Sequence, residues 1–391
     1  MDYLLKKRHV SPIWWVYIAN SLLSFHYALI VFVNSAYLGK FLSYQSISLV
    51  FLVASVITLF IFAVLPKIIS RIGIFTVVFA SVVAEMLAIL SLAIGFDSTS
   101  IILSFLVHHI AVSLIYFSFD IYLESITTNE MTTGSMRGFF LASANLMYIV
   151  APFLVGYLIN FEGYRLVYLI SGSILFPLLL VISLQLRHTK IAYNKKDHIW
   201  YGLQQLRKNR EAFLSIFSQL ALQLFYAVMT IYLSIYLIQS IGFTWDRLGA
   251  LFTIMLLPFL LFEILVGKLA DSHYGEKEFM LAGFVVMASM LVAITLPTEP
   301  VFWLWALLLF ISRVGASFVE VTSETHFFRQ IKDRDGSLIS LFRMTRPVAF
   351  ILVGLIGAFM FNYLAFTWIW LILAGIVLLG CFSVFPMKDS R

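Results

Sequence analysis

The segment YFSFDIYLESITTNE, residues 116–130, ends an otherwise apolar run with two carboxylates, Asp120 and Glu124, one helical turn apart. Spacings of four, three, four and four put His109, Ser113, Tyr116, Asp120 and Glu124 on one helical face. A later apolar run does the same with Arg313, Ser317, Glu320 and Glu324. Glu263 interrupts a third run, and Arg343 with Arg346 a fourth. An ionised side chain at membrane depth costs about 2.5–3.5 kcal/mol on insertion scales, so each of these groups needs a partner or a use. Three chemistries meet that need. Acids and arginines can close one end of a pore as ion pairs, because the planar guanidinium fork fits a carboxylate. One acid can carry a proton, with Asp120, Glu320 and Glu263 as the candidates. Groups near helix ends can also reach the surface along their apolar stems.

A second set of residues is polar without being acidic. Asn20, His26, Tyr27 and Asn34 lie in the first apolar run; Gln219, Gln223, Tyr226 and Thr230 share one face of the seventh. With His109, Tyr116 and Arg313 they make a candidate lining for a substrate cavity. Taken singly, each reads better as a hydrogen bond between helices, worth about 0.6 kcal/mol. At ~1.5 Å per residue, Arg313 lies about 18 Å from the outer end of its helix, with no acid one turn away. An anionic group on a substrate and a partner across the cavity are both open readings of it. For His26 and His109 a neutral, hydrogen-bonded imidazole is the commoner reading and a proton-carrying one the alternative. Glu85, midway along the third run, receives no function. The chain has no phosphate-binding glycine loop, no metal-spaced His/Cys set and no nucleophile motif, so neither catalysis nor a cofactor or metal is expected.

The elements that must hold these groups follow from composition. Of 391 residues 61% are hydrophobic and 12% charged, and the mean hydropathy is +0.97. Such a chain cannot cover a soluble surface. Its apolar runs of about 20 residues each suffice to cross a bilayer core of about 30 Å. The expected fold is an all-α polytopic membrane protein with twelve spans near 12–38, 44–65, 74–95, 101–124, 138–160, 164–186, 211–240, 247–270, 278–297, 301–325, 337–361 and 364–386. With both termini cytoplasmic, the inner segments collect Lys6, Lys7, Arg8, Lys67, Arg71, Arg137 and seven basic residues of the 187–210 loop, whereas the outer side holds Lys40, Arg165 and Arg247. The +6 net charge is therefore a topology signal, and no nucleic acid is expected as a partner. The first span has no cleavage site and is kept. Cys381 is the single cysteine, so no internal disulfide forms. The 187–210 loop divides the chain into an N-terminal six-helix bundle, 1–186, and a C-terminal one, 211–391. Its WYGLQQLRKNR stretch reads either as a short helix on the inner membrane surface or as a solvated linker.

The halves repeat each other. At an offset of 199, Tyr27 meets Tyr226, Ser35 meets Ser234 and Tyr37 meets Tyr236. At 200, Asp120 meets Glu320 and Glu124 meets Glu324; at 201, Lys67 meets Lys268. A nearly constant offset over four helices marks a parallel six-plus-six repeat.

Between its eighth and ninth spans the chain reads GKLADSHYGEK, with Gly267, Leu269, Asp271 and Gly275, and between its second and third PKIISRIG, with Arg71 and Gly73. These segments resemble the loop motif of the major facilitator superfamily, and the resemblance extends over the whole chain. The first copy departs from the motif at Pro66 and Ser70, whereas Asp271 keeps the aspartate. APFLVG, with Pro152 and Gly156, is a thin match to the family's exporter motif. The resemblance implies two pseudo-symmetric bundles, with spans one, four, seven and ten around a cavity and two, five, eight and eleven at the interface between halves. It adds Arg71, Arg137 and Asp271 to the gate or salt-bridge candidates Asp120, Glu124, Glu263, Glu320, Glu324, Arg343 and Arg346. The function it implies is secondary active transport of a small solute by alternating access, coupled to protons, by a monomer among the lipids of the plasma membrane (bacterial inner-membrane type). Export of amphipathic compounds or lysolipids, and a non-transporting sensor on the same fold, are the alternatives.

Overall fold

A computed structural model describes residues 12–126, 130–186, 199–270, 275–331 and 336–388, without the side chains of 12, 66, 124–126, 130–138, 264 and 336. Every described element is a helix, the one open-ended structure that satisfies its own backbone groups in an apolar medium. The first half holds α1 (Pro12–Ile30), α2 (Val33–Leu38), α3 (Tyr44–Ile72), α4 (Ile74–Ile94), α5 (Ser98–Ile126), α6 (Glu130–Glu162) and α7 (Tyr164–Val181), the last continued by a π-helical turn, Ile182–Leu186. After α8 (Ile199–Lys208) come α9 (Arg210–Gln239), α10 (Trp245–Leu269), α11 (Glu276–Ala293), α12 (Phe302–Gln330), α13 (Gly336–Met360) and α14 (Trp368–Val384).

Local chemistry sets the helix ends. Ser43 accepts from the Ser46 amide to start α3, and Asn209 from the Ala212 amide to start α9. Before α5, Asp97 accepts from the Ser100 amide while its own amide donates to the Ser100 hydroxyl. Those bonds hold the Asp97 carboxyl below its usual range. Gly95 ends α4 at φ 63, where a side chain would also meet the Tyr37 hydroxyl.

Among the described residues, ten segments are long and apolar enough to cross a membrane, against the twelve expected. The remaining two, α11 and α14, have 18 and 17 residues, and they pack as their counterparts in the first half do. The fourth helix of each half lies on the third (α4 with α5, α11 with α12), and the sixth lies on both the third and the first. The expected first span is present as Ile13–Leu38, made of two helices with a turn at Val31–Phe32 between them. The short helix expected in the connecting loop is α8. It packs on α13, with Gly202 against Ser337 and Leu206 buried beside Phe327, Leu338 and Phe342.

The halves meet along α6 with α10 and α3 with α13, the second, fifth, eighth and eleventh positions. Small residues make that approach possible. A Cβ on Gly249 would lie 2.6 Å from the Pro152 carbonyl oxygen, and one on Gly156 would lie 2.6 Å from that of Trp245. Across the other interface a Cβ on Gly357 would lie 2.6 Å from the Ser48 hydroxyl. Gly156 and Gly357 are 201 residues apart, as are Ser48 and Gly249, so the two contacts are equivalent under the repeat.

Gly249→Val fills the α6–α10 crossing, and overpacking of this kind costs about 1–3 kcal/mol. The expected outcome is a lower melting temperature in detergent, with Gly375→Ala, where nothing lies within 4 Å, unchanged.

Candidate functional site

A cavity of about 350 Å³ lies between the halves, lined from α1, α3, α5, α6, α9, α10, α12 and α13. Asn20, Tyr27, His109, Tyr116, Asp120, Gln219, Gln223, Tyr226, Thr230, Arg313, Glu320, Glu324, Arg343 and Arg346, all expected from sequence, line it. So do Val31 and Phe32 at the break between α1 and α2, together with Asn145, Tyr148 and Phe350. Helix ends carry backbone groups without intrahelical partners, and a break is tolerated at membrane depth where protein or a cavity surrounds it.

The end where α1 begins is called here the near end, the other the far end. Hydrogen bonds between the halves seal the far end. The Ser35 and Ser234 hydroxyls lie 3.0 Å apart, Ser48 Oγ and the Tyr232 hydroxyl 2.7 Å, and Gln45 Nε2 donates to Asn362 Oδ1 at 3.1 Å. The Tyr44 hydroxyl donates to Gln239. All of these groups are neutral, and Ser35, Ser234, Ser48 and Tyr232 are fully buried.

The near side is held by charge. Arg343 Nη1 donates to Glu324 Oε1 at 2.9 Å, and its Nε lies 3.4 Å from Asp120 Oδ2. The side chains of this bridge between α5, α12 and α13 are 20–33% exposed. Deeper in, the Tyr226 hydroxyl donates to Glu320 at 2.7 Å, and Arg346 donates to the Tyr27 hydroxyl at 3.3 Å. Tyr27 and Tyr226, equivalent in the repeat, thus hold opposite charges. Glu263 stands outside the lining, accepting from Asn145 Nδ2 of α6 at 3.0 Å. Arg71 is exposed at the end of α3. The Glu124 and Arg137 side chains and all of Asp271 lie outside the described residues.

Two expected lining residues sit behind the wall instead. His26 Nε2 lies 2.9 Å from Glu85 Oε1, and His108 Nδ1 lies 2.6 Å from the same oxygen. All three residues are at most 1% exposed. Asn34, also expected in the lining, donates to His108 Nε2 at 3.0 Å and accepts from the Tyr168 hydroxyl at 2.9 Å. That bond makes His108 Nε2 an acceptor, so the His108 hydrogen is on Nδ1 and points at Glu85. His26 Nδ1 faces the Ser171 hydroxyl and carbonyl oxygens at 2.7 and 3.0 Å. Ligands about 2.1 Å from a shared tetrahedral metal stand about 3.4 Å apart, so these shorter contacts are hydrogen bonds. Sequence reasoning missed His108 and a role for Glu85. The signal was available: a mid-span carboxylate requires a donor at its own depth.

The sequence profile described as Major Facilitator Superfamily matches residues 217–390. No curated protein matches the chain. Among solved structures, that of the nucleoside transporter NupG is similar with a TM-score of 0.76 at 18% identity, covering 97% of this chain and 100% of that one. An auto-inhibited peptide transporter of the POT family is similar with a TM-score of 0.76 at 12% identity, covering 97% and 98%. At these identities the likeness is one of fold.

Glu85→Ala removes the acceptor shared by two buried imidazoles, and breaking a buried pair costs about 3–5 kcal/mol. A large fall in melting temperature is expected, with Glu85→Gln, which keeps an acceptor oxygen, intermediate. The exposed Glu162→Gln serves as the unchanged control.

Proposed function

From the premise that this chain is of the major facilitator type, by fold along its length and by sequence profile over its second half, we propose that it is a secondary transporter of a small solute. One observation carries the reading: the cavity lies on the joint between two equivalent halves, and each end of the joint is closed by different bonds. Alternating access needs this arrangement, a fixed central site with a breakable contact on either side. In the inward-facing sense of the topology, the near end faces the cytoplasm. The Asp120–Arg343–Glu324 bridge is then the inner gate, and the far-end hydrogen bonds are the outer one.

Proton coupling is the preferred energy source in this reading, and Glu320 is its best-placed carrier. Asp120 is committed to Arg343 and Glu263 to Asn145, whereas Glu320 faces the cavity with the Tyr226 hydroxyl as its partner. The cavity volume of about 350 Å³, with a few polar groups set in an aromatic wall, favours a compact solute over a lysolipid.

The gate is tested by cysteine labelling. In a Cys381→Ser background, Ala144→Cys places a thiol in the cavity wall. Adding Arg343→Ala breaks the bridge, and faster labelling of that thiol from the cytoplasmic side is expected. An unchanged rate removes the gate. Proton coupling is tested in proteoliposomes: uptake of a bound solute should respond to an imposed pH gradient and lose that response in Glu320→Gln. Uptake indifferent to the gradient in both directions removes the coupling.

A further inference from the structure

The charges around the cavity are not evenly matched by depth. At the near side one guanidinium, Arg343, bridges two carboxylates, Asp120 and Glu324. Further in stand two guanidiniums, Arg313 and Arg346, and one carboxylate, Glu320, which is engaged by Tyr226. Arg313 is 11 residues from the far-end start of α12, and Arg346 is 10 residues from the near-end start of α13. At ~1.5 Å per residue both fall about 15–17 Å in, at the middle of the bundle. Among the described residues neither makes an ion pair.

Arg313 is 2% exposed, and its Nε and Nη1 have no hydrogen-bond partner. Its guanidinium rests 4.7 Å from the centroid of Phe225 and 5.9 Å from that of Tyr226. Ring faces attract a cation but leave its in-plane N–H groups unsatisfied. A buried donor left without an acceptor is expensive, more so when charged, so the site is complete only with an acceptor that the protein does not supply. Arg346 is exposed to the cavity, with the Tyr27 hydroxyl as its hydrogen-bond partner and the Tyr27 ring centroid 5.8 Å away. Asn20 Oδ1 is the complementary case, a buried acceptor in the same lining with no donor. The rings of Tyr27, Tyr116, Tyr148, Tyr226, Phe259 and Phe350 occupy much of the remaining wall.

We infer that the cavity binds an organic anion with a flat apolar body: its carboxylate or equivalent acidic group is held by Arg313 and Arg346, and the body lies among the aromatic rings. A hydroxyl or N–H on the ring then serves Asn20. The inference names a substrate class for the cavity proposed above, and it rests on that reading for transport but not for binding.

The test is thermal unfolding of the purified full chain in detergent with millimolar benzoate, 4-hydroxybenzoate, benzamide and benzylamine. A ligand that binds the folded form raises the melting temperature by mass action. Benzoate should raise it, 4-hydroxybenzoate should raise it further, and benzamide and benzylamine should leave it unchanged. Arg346→Gln, at a position open to the cavity, should weaken benzoate about ten- to a hundredfold, the loss of one charge-assisted contact. Arg313→Gln should abolish the response, Arg313→Lys should retain part of it, and the exposed Arg165→Gln should respond as the parent does. Equal stabilisation by benzamide or benzylamine, no response to any of the four, or a full benzoate response in Arg346→Gln and Arg313→Gln overturns the inference. Benzoate binding without benzoate uptake by proteoliposomes leaves the anion site standing and removes the transport reading instead.

Discussion

A bilayer core offers no water to a polar group, so a carboxylate, imidazole or guanidinium at that depth depends on what other side chains bring to it. The rest of this fold is arranged around that constraint. In the first half it is met at one oxygen of Glu85, which receives two imidazoles, and those imidazoles are completed in turn by Ser171 and Asn34. The network ties α1, α2, α4, α5 and α7 together. In the second half the constraint is left unmet at Arg313.

The repeat explains why the cavity lies where it does. A pseudo-two-fold axis brings equivalent residues together only near the axis itself, and Ser35 and Ser234 touch at 3.0 Å. The cavity follows the same axis toward the near end. Tyr27 and Tyr226 flank it, and each has been adapted to a different charge.

Much of this was legible in the sequence, because depth along a helix is a count of residues. The near-side layer of Asp120, Glu324 and Arg343, the midplane Arg313 and the repeat pairs all follow from such counting. Rotation about the helix was less legible. His26 was assigned to the lining beside Tyr27, but one residue is about 100° of turn, and the cavity lies on the Tyr27 side. The same step separates His108, in the Glu85 network, from His109, in the wall. The break at Val31–Phe32 carries no glycine or proline and left no local mark. The partners of Glu85 come from two other helices, and one sequence does not say which helix faces turn toward each other.

The two seals of the cavity differ in kind. The far seal is a zipper of neutral hydroxyl and amide contacts, each weak and each replaceable by water. The near seal is a latch made of one guanidinium between two acids, partly open to solvent. Dissolved ions screen exposed charges and barely touch neutral hydrogen bonds. The salt on the near face therefore acts on the strength of the near seal, whereas the hydrogen bonds of the far seal barely respond to it.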